Sequence, residues 1–299
     1  MSKILLTGAT GSTGAYLLEV LSQKHRLYAL CRDPEKTRHL RYAKDRVTWI
    51  QGDLSTLCAR ELPIVDYCIH PATAWGGEDT FQINVTQPLQ LFEKLSRRCK
   101  GIHYFSTASL LDQHHHLQPE AFQLGTDYIR SKAVMRHCLE QRATELPPLH
   151  MYYPTVVLGG SDHHPFTAVS QFLPHIRKYL PWIKWLRLNG AFHWIHALDI
   201  AHIIAYRIEN QLPPGAWVLG NPSCAVADLL EELLRHYRIK HTPFKMDLEK
   251  VEPLLLSLFS QQMSPWDRFS FKHRHIKYRC LNTSDYNLPS AGLHLTDFL

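Results

Sequence analysis

The chain has 299 residues, 45% hydrophobic and 20% charged, enough for one large α/β domain with an appendage and too apolar for intrinsic disorder. Formal net charge is +6, but Lys and Arg are scattered without a basic tail, which argues for anionic small ligands and against a nucleic-acid partner. Seven Cys without a C-x-x-C pair suggest neither a disulfide framework nor a zinc ribbon, and read as free thiols in a reducing, cytoplasmic setting.

The N-terminus enters a strand at once, over Ile4–Leu6, without the apolar core of a signal peptide. A helix is predicted over Gly14–Ser22, then strands over Arg26–Cys31, Val47–Gln51 and Val65–His70. Phe81–Ser96 carries Val85, Leu89, Phe92 and Leu95 at helical spacing. Ile102–Ser106 is a fifth strand, Thr126–Thr144 a second strong helix and Leu149–Tyr153 a sixth strand. Strands alternating with helices predict a parallel sheet covered on both faces, doubly wound in the Rossmann manner.

After Pro154 the pattern changes. Residues 160–192 are rich in aromatic, Pro, His and basic residues, and Phe172–Leu188 is too Pro-broken for one helix. Ile195–Glu209 is predicted helical, Trp217–Leu219 a short strand and Asp228–Tyr237 an amphipathic helix. The last sixty residues give weak signals. No apolar run approaches the roughly 20 residues that span a bilayer.

Between the first strand and helix lies Thr7-Gly8-Ala9-Thr10-Gly11-Ser12-Thr13-Gly14, a G-x-x-G-x-x-G loop. Glycine allows the tight turn and close approach of backbone to a pyrophosphate, and the following helix offers unpaired N–H groups. The second strand ends at Cys31-Arg32-Asp33. An Arg there suits the 2′-phosphate of NADP(H), whereas an acidic residue suits the ribose hydroxyl of NAD(H). Arg32 favours the first, and Asp33 keeps the second open. Asp53, in Gly52-Asp53-Leu54, is either an acceptor for the adenine amine or a helix cap.

Tyr128-Ile129-Arg130-Ser131-Lys132 is a Y-x-x-x-K pair, one helical turn apart and therefore on one face. A nearby ammonium favours a phenolate, so Tyr128 could exchange a proton with a substrate oxygen. Phe105-Ser106-Thr107-Ala108-Ser109 ends the fifth strand 21 residues earlier.

These motifs together resemble the short-chain dehydrogenase/reductase superfamily, particularly its extended or atypical branches, over roughly residues 3–230. The resemblance implies a catalytic set of Thr107, Tyr128 and Lys132, with Ser106 and Ser109 as lesser alternates to Thr107. It implies that Asn84 supports a proton relay and the sheet. It implies cofactor contacts from Lys132 to the nicotinamide ribose, from Pro71 and Ala72 after the fourth strand, and from Pro154 and Val156 after the sixth. Trp194–Ala201 is similar to the family stretch that returns the chain to the Rossmann domain, where His196 and Asp199 serve structure. The implied division is a Rossmann domain over 1–159, rejoined by 193–220, and a smaller, partly helical substrate cap from 160–192 and 221–299. The implied activity is NADP(H)-dependent transfer of hydride between nicotinamide and a carbonyl or alcohol. A sugar-nucleotide epimerase-like enzyme and a non-catalytic NADP(H) sensor are the alternatives. A homodimer through a bundle that includes the Tyr128 helix is also implied.

The chain departs from the family pattern in three places. Leu111-Asp112 replaces a Tyr-Gly pair, no acidic residue follows Thr107, and Tyr153 replaces an Arg. These changes count against dehydration and a nucleotide-sugar substrate. His114, His115 and His116 read as a solvated loop rather than metal ligands. Phe172–Leu188, with aromatics beside Lys and Arg, suits cap packing, an acidic or amphiphilic substrate, or a membrane surface.

Overall fold

The computed structural model describes residues 1–59, 61–95, 98–187, 189–240, 242, 246–247, 263–275 and 277–292. Its centre is a seven-stranded, fully parallel sheet. The strands are β1 (Lys3–Leu6), β2 (Arg26–Cys31), β3 (Val47–Gln51), β4 (Tyr67–His70), β5 (Gly101–Phe105), β6 (Leu149–Pro154) and, late in the chain, Gly215–Leu219. That last strand lies at one edge, and β3 at the other, with β1 and β4 side by side in the middle. Strand order reverses between β1 and β4, and such a switch point opens a crevice at the carboxyl ends of the strands.

Alternation along each strand feeds two cores. Ile4, Leu6, Leu27, Ala29, Tyr67 and Ile69 face one side, where helices α1 (Ser12–Ser22) and Ala197–Glu209 pack together. Leu5, Leu30, Cys68, Ile102 and Tyr104 face the other. There they meet α2 (Leu54–Ala59), α3 (Gln87–Glu93) and, after the single turn α4 (Glu120–Gln123), α5 (Asp127–Gln141). Strands buried on both faces account for the near-continuous apolar runs in the sequence.

The helix expected over Phe81–Ser96 is continuous to Glu93 but carries a π stretch, Gln82–Thr86, before α3; Ser96 lies outside the described residues. Pro88 lacks the N–H that Asn84 O would accept, so the ladder widens there. Downstream come β7 (Val156–Leu158), α6 (Ala168–Phe172), α7 (Leu180–Ile183), β8 (Leu186–Arg187), β9 (Ala191–Phe192) and β10 (Trp194–His196). Then follow α8 (Ala197–Glu209), β11 (Gly215–Leu219), β12 (Cys224–Ala225), α9 (Val226–His236), β13 (Met246–Asp247) and α10 (Pro265–Lys272).

The helix predicted from Ile195 begins at Ala197, because Trp194–His196 pairs in parallel with β7. His196 Nδ1 then accepts from Leu198 N at 3.1 Å and caps α8. Asp199, fully buried, accepts from Ala291 N at 2.7 Å and Ser290 Oγ at 2.9 Å, pinning the late chain to α8. Short elements from 160 onward share a core of Leu158, Leu180, Trp194, Leu230, Leu233 and Leu234. Within 160–192 and 221–299, residues 188, 241, 243–245, 248–262, 276 and 293–299 lie outside the described residues.

Candidate active site

A cavity of about 1170 Å³ follows the carboxyl ends of β1, β2, β4, β5 and β6. It exceeds the volume of a typical drug-sized pocket. The glycine loop forms one end: Gly8, Thr10, Gly11, Ser12, Thr13 and Gly14 all line it. Gly8 has φ +60°, and a Cβ there would sit 2.9 Å from Ala72 N and Cα. A Cβ on Gly14 would lie 1.9 Å from Gly8 O, so this position admits no side chain. Gly11 is the N-cap of α1, no side chain caps it, and the first turn holds no acidic residue. Open backbone, a helix dipole and no competing carboxylate give this loop the features that suit a pyrophosphate.

At the end of β2, Arg32 is exposed and lines the cavity. The Asp33 side chain instead accepts from Glu35 N at 3.1 Å and caps the turn Pro34–Thr37. Asp53 acts as a helix cap and also lines the cavity. Its Oδ1 accepts from Ser55 Oγ at 2.6 Å, Thr56 N at 2.8 Å and Thr56 Oγ1 at 2.9 Å, while the residue and its neighbour Leu54 line the cavity. Those hydrogen bonds, the Ser55 hydroxyl first, hold its carboxyl down at about 2.

Pro71 and Ala72 line the cavity beyond β4, and Pro154 and Val156 beyond β6. Asn84 does not reach the cavity. Its amide, 1% exposed, accepts from Ala74 N at 2.7 Å and Thr73 Oγ1 at 3.1 Å, and donates to Ala74 O at 2.8 Å and Ser131 Oγ at 3.0 Å. It thereby ties the loop after β4 to α5, one residue from Lys132.

Thr126 caps α5, accepting from Ile129 N at 3.4 Å, and so sets the start of the helix that carries Tyr128 and Lys132. Tyr128 and Thr107 both line the cavity. Ser106 Oγ is buried without a partner among the described residues, and Ser109 is exposed, its N–H donating to Thr107 Oγ1 at 3.4 Å. Lys132 is 2% exposed, donates to Phe105 O at 2.9 Å and stands 5.0 Å from the Tyr104 ring centre. Burial pulls the Lys132 ammonium down to about 7. Burial also pushes the Tyr128 phenol up to about 12, with only the Thr107 side chain opposing it. Desolvation thus favours the proton-bearing phenol, opposite in direction to the pull expected of a nearby ammonium.

The rest of the wall comes from residues that carried no sequence motif. The Trp75 indole, 73% exposed, stacks on the Tyr128 ring with centres 4.5 Å apart. Phe166, Val169 and Phe192 add apolar surface, and His273 and Arg274 add basic groups. Tyr278 donates its hydroxyl to Ala108 O at 2.9 Å and Leu111 O at 3.1 Å, bracing the loop after Thr107. Its N–H donates to His193 Nε2 at 3.0 Å, which leaves His193 Nδ1–H to donate to Asn221 O at 2.8 Å. A helix start at Ser264-Pro265-Trp266-Asp267, a capping box with Pro at N1, was the readable signal in this weak region.

A Rossmann-like sheet with a phosphate cradle and a Tyr/Lys/Thr cluster at its switch point defines the class. The chain belongs to the NAD dependent epimerase/dehydratase family, whose model matches residues 4–220. Among solved structures it is similar in fold to gox2253, with a TM-score of 0.68 at 19% identity, covering 92% of this chain and 89% of that one. Vestitone reductase from alfalfa gives 0.67 at 13% identity over 100% and 96%. The UDP-N-acetylglucosamine 4-epimerase of Methanobrevibacter ruminantium M1 gives 0.60 at 16% over 82% and 84%. No curated protein sequence matches the chain significantly.

Proposed function

We propose that the chain is an NADP(H)-dependent carbonyl reductase, with the reverse alcohol oxidation open to it. The observation that carries this reading is the gathering of Tyr128, Thr107 and the buried Lys132 in the same cavity as the glycine cradle.

Gly8 to Gly14 would hold the pyrophosphate, Arg32 the 2′-phosphate, Asp53 the adenine side, and Lys132, Pro154 and Val156 the nicotinamide end. Preference for NADP(H) rests on Arg32, which lines the cavity and pairs with no carboxylate among the described residues, while Asp33 is occupied as a cap. When bound, the nicotinamide supplies or takes up the hydride. Tyr128 gives its proton to the substrate oxygen, and a pKa of about 12 keeps that proton in place until the oxygen becomes basic. Thr107 orients the phenol. Lys132, buried with one carbonyl partner, gains charge whenever an anion or phenolate develops beside it, which lowers the cost of losing the Tyr128 proton. Asn84 is a positioning residue. Trp75, Phe166 and Phe192 favour a substrate with an apolar body, and Arg274 and His273 one with an acidic end. The family match supports a second reading, an epimerase, in which oxidation and reduction of one substrate cancel.

Titration with NADPH and NADH, followed by nicotinamide fluorescence, tests the cofactor. Arg32→Ala should weaken NADPH about 10–100-fold, the loss of charge-assisted hydrogen bonds, and leave NADH unchanged. Tyr128→Phe should abolish carbonyl-dependent NADPH oxidation with cofactor affinity intact. Preference for NADH would overturn the role of Arg32, and an active Tyr128→Phe enzyme would overturn that of Tyr128. Turnover without net NADPH consumption would select the epimerase.

A further inference from the structure

The two ends of the stretch 166–193 line the cavity, but its middle faces away from it. Leu180 is fully buried, and Ile176 and Ile183 pack beside it against Leu230, Leu233 and Leu234 of α9. That anchors one side of α7 and turns the other outward. Trp182 is 78% exposed, Trp185 46% and Tyr179 43%, three large aromatics within seven residues. An aqueous surface gains nothing from such exposure, so a partner of amphipathic character is called for.

Basic side chains surround these rings. Lys178 Nζ lies 4.8 Å from the Tyr179 ring centre and Lys184 Nζ 5.5 Å from that of Trp185. The Arg177 guanidinium lies 5.6 Å from the ring of Tyr237, which joins the same apolar cluster and brings the exposed Arg238 and Lys240 of the following chain nearby. No acidic residue occurs between Asp162 and Asp199. Met246, 43% exposed, extends the apolar edge where β13 pairs with β8.

We infer that the α7 surface, with Tyr179, Trp182 and Trp185 as wedges and Lys178 and Lys184 as charge contacts, docks on an anionic lipid bilayer. Trp and Tyr rest at the headgroup level, with one apolar and one wet end, and adjacent cations reach lipid phosphates. A protein interface of this character would require a broad patch depleted of Lys, whereas here the cations alternate with the rings. No helix among the described residues is long and apolar enough to cross a membrane, so the attachment is peripheral. This surface is independent of the oxidoreductase reading, since none of its residues lines the cavity.

The test uses the full chain with vesicles of pure phosphatidylcholine and of phosphatidylcholine containing one-third phosphatidylglycerol, read by co-sedimentation at low and high salt. Binding should be confined to the anionic vesicles and weaken with salt. Lys178→Ala with Lys184→Ala should weaken it about 25-fold, roughly fivefold per charge. Trp182→Ser with Trp185→Ser should abolish it, and brominated lipid should quench tryptophan emission in the wild type but not in Trp182→Phe with Trp185→Phe. Each variant is checked for an unchanged NADPH affinity and thermal transition; if the serine pair unfolds, the lysine pair and the phenylalanine quenching comparison decide. Absence of vesicle binding, equal binding to neutral vesicles, or undiminished binding by the lysine variant would overturn the proposal. So would a shift from dimer to monomer in these variants without vesicle binding, which would make the surface a protein interface.

Discussion

Replacing Asn84 by Ala should cost more stability than its distance from the cavity suggests. The amide makes four hydrogen bonds, to Ala74 N, Ala74 O, Thr73 Oγ1 and Ser131 Oγ, from a site 1% exposed. Each contributes about 1 kcal/mol net, and the half-buried Ala74 N–H, left without this acceptor, is only partly resolvated. The sum is about 3–5 kcal/mol, minus what relaxation or an entering water recovers. At about 2–4 °C per kcal/mol for a chain of this size, the thermal midpoint should fall by about 6–20 °C. Calorimetry in the absence of cofactor measures it. NADPH-dependent turnover, measured well below the new midpoint, should also fall, because the loop after β4 loses its tie to α5. A midpoint within about 2 °C of wild type would refute the reasoning, since it would mean these four bonds are replaced at no cost. Full activity with a lowered midpoint would confine Asn84 to the scaffold.

Gly14→Ala places a methyl 1.9 Å from Gly8 O, so NADPH binding should vanish; binding within tenfold of wild type would show that the loop does not hold the pyrophosphate. Acid should destabilise the fold through buried imidazoles. Burial lowers His70 to about 3 and His150 and His196 to about 4, and lowers His103 too. These folded values lie below the unfolded one of about 6.5, so their stabilisation is complete above that pH. It is lost as pH falls from about 6.5 toward 4, at about 1.4 kcal/mol per pH unit for each group. Urea unfolding at pH 7.5 and pH 5 should differ by several kcal/mol; a flat profile would contradict the neutral assignment.

Much of the sheet could be read from pattern, because β1, β2 and β3 are bounded by turn residues and buried on alternating faces. The glycine loop and the Tyr128–Lys132 pair were legible because their spacing is the chemistry. What escaped had other causes. Trp194-Ile195-His196 is a strand only because β7 lies beside it, a pairing no local window contains. The π turn before Pro88 could have been foreseen from the missing N–H, but helical periodicity masked it. The upward pull on the Tyr128 phenol comes from burial, which no local window contains. Tyr278 and Trp75 reach the site through tertiary contacts alone, and no motif marks them.

The brace from Tyr278 to the carbonyls of Ala108 and Leu111 spans about 170 residues of chain. On a translating ribosome, the glycine cradle and the Tyr128 helix emerge long before their brace. At about 5–20 residues per second, on the order of ten seconds separate the synthesis of β6 from that of Tyr278. Throughout that interval the nascent chain has the residues to grip a nucleotide but lacks the strut that fixes the Thr107 loop. Ligand capture can therefore precede catalytic competence, and a nucleotide bound early would bias the unfinished chain toward its final shape.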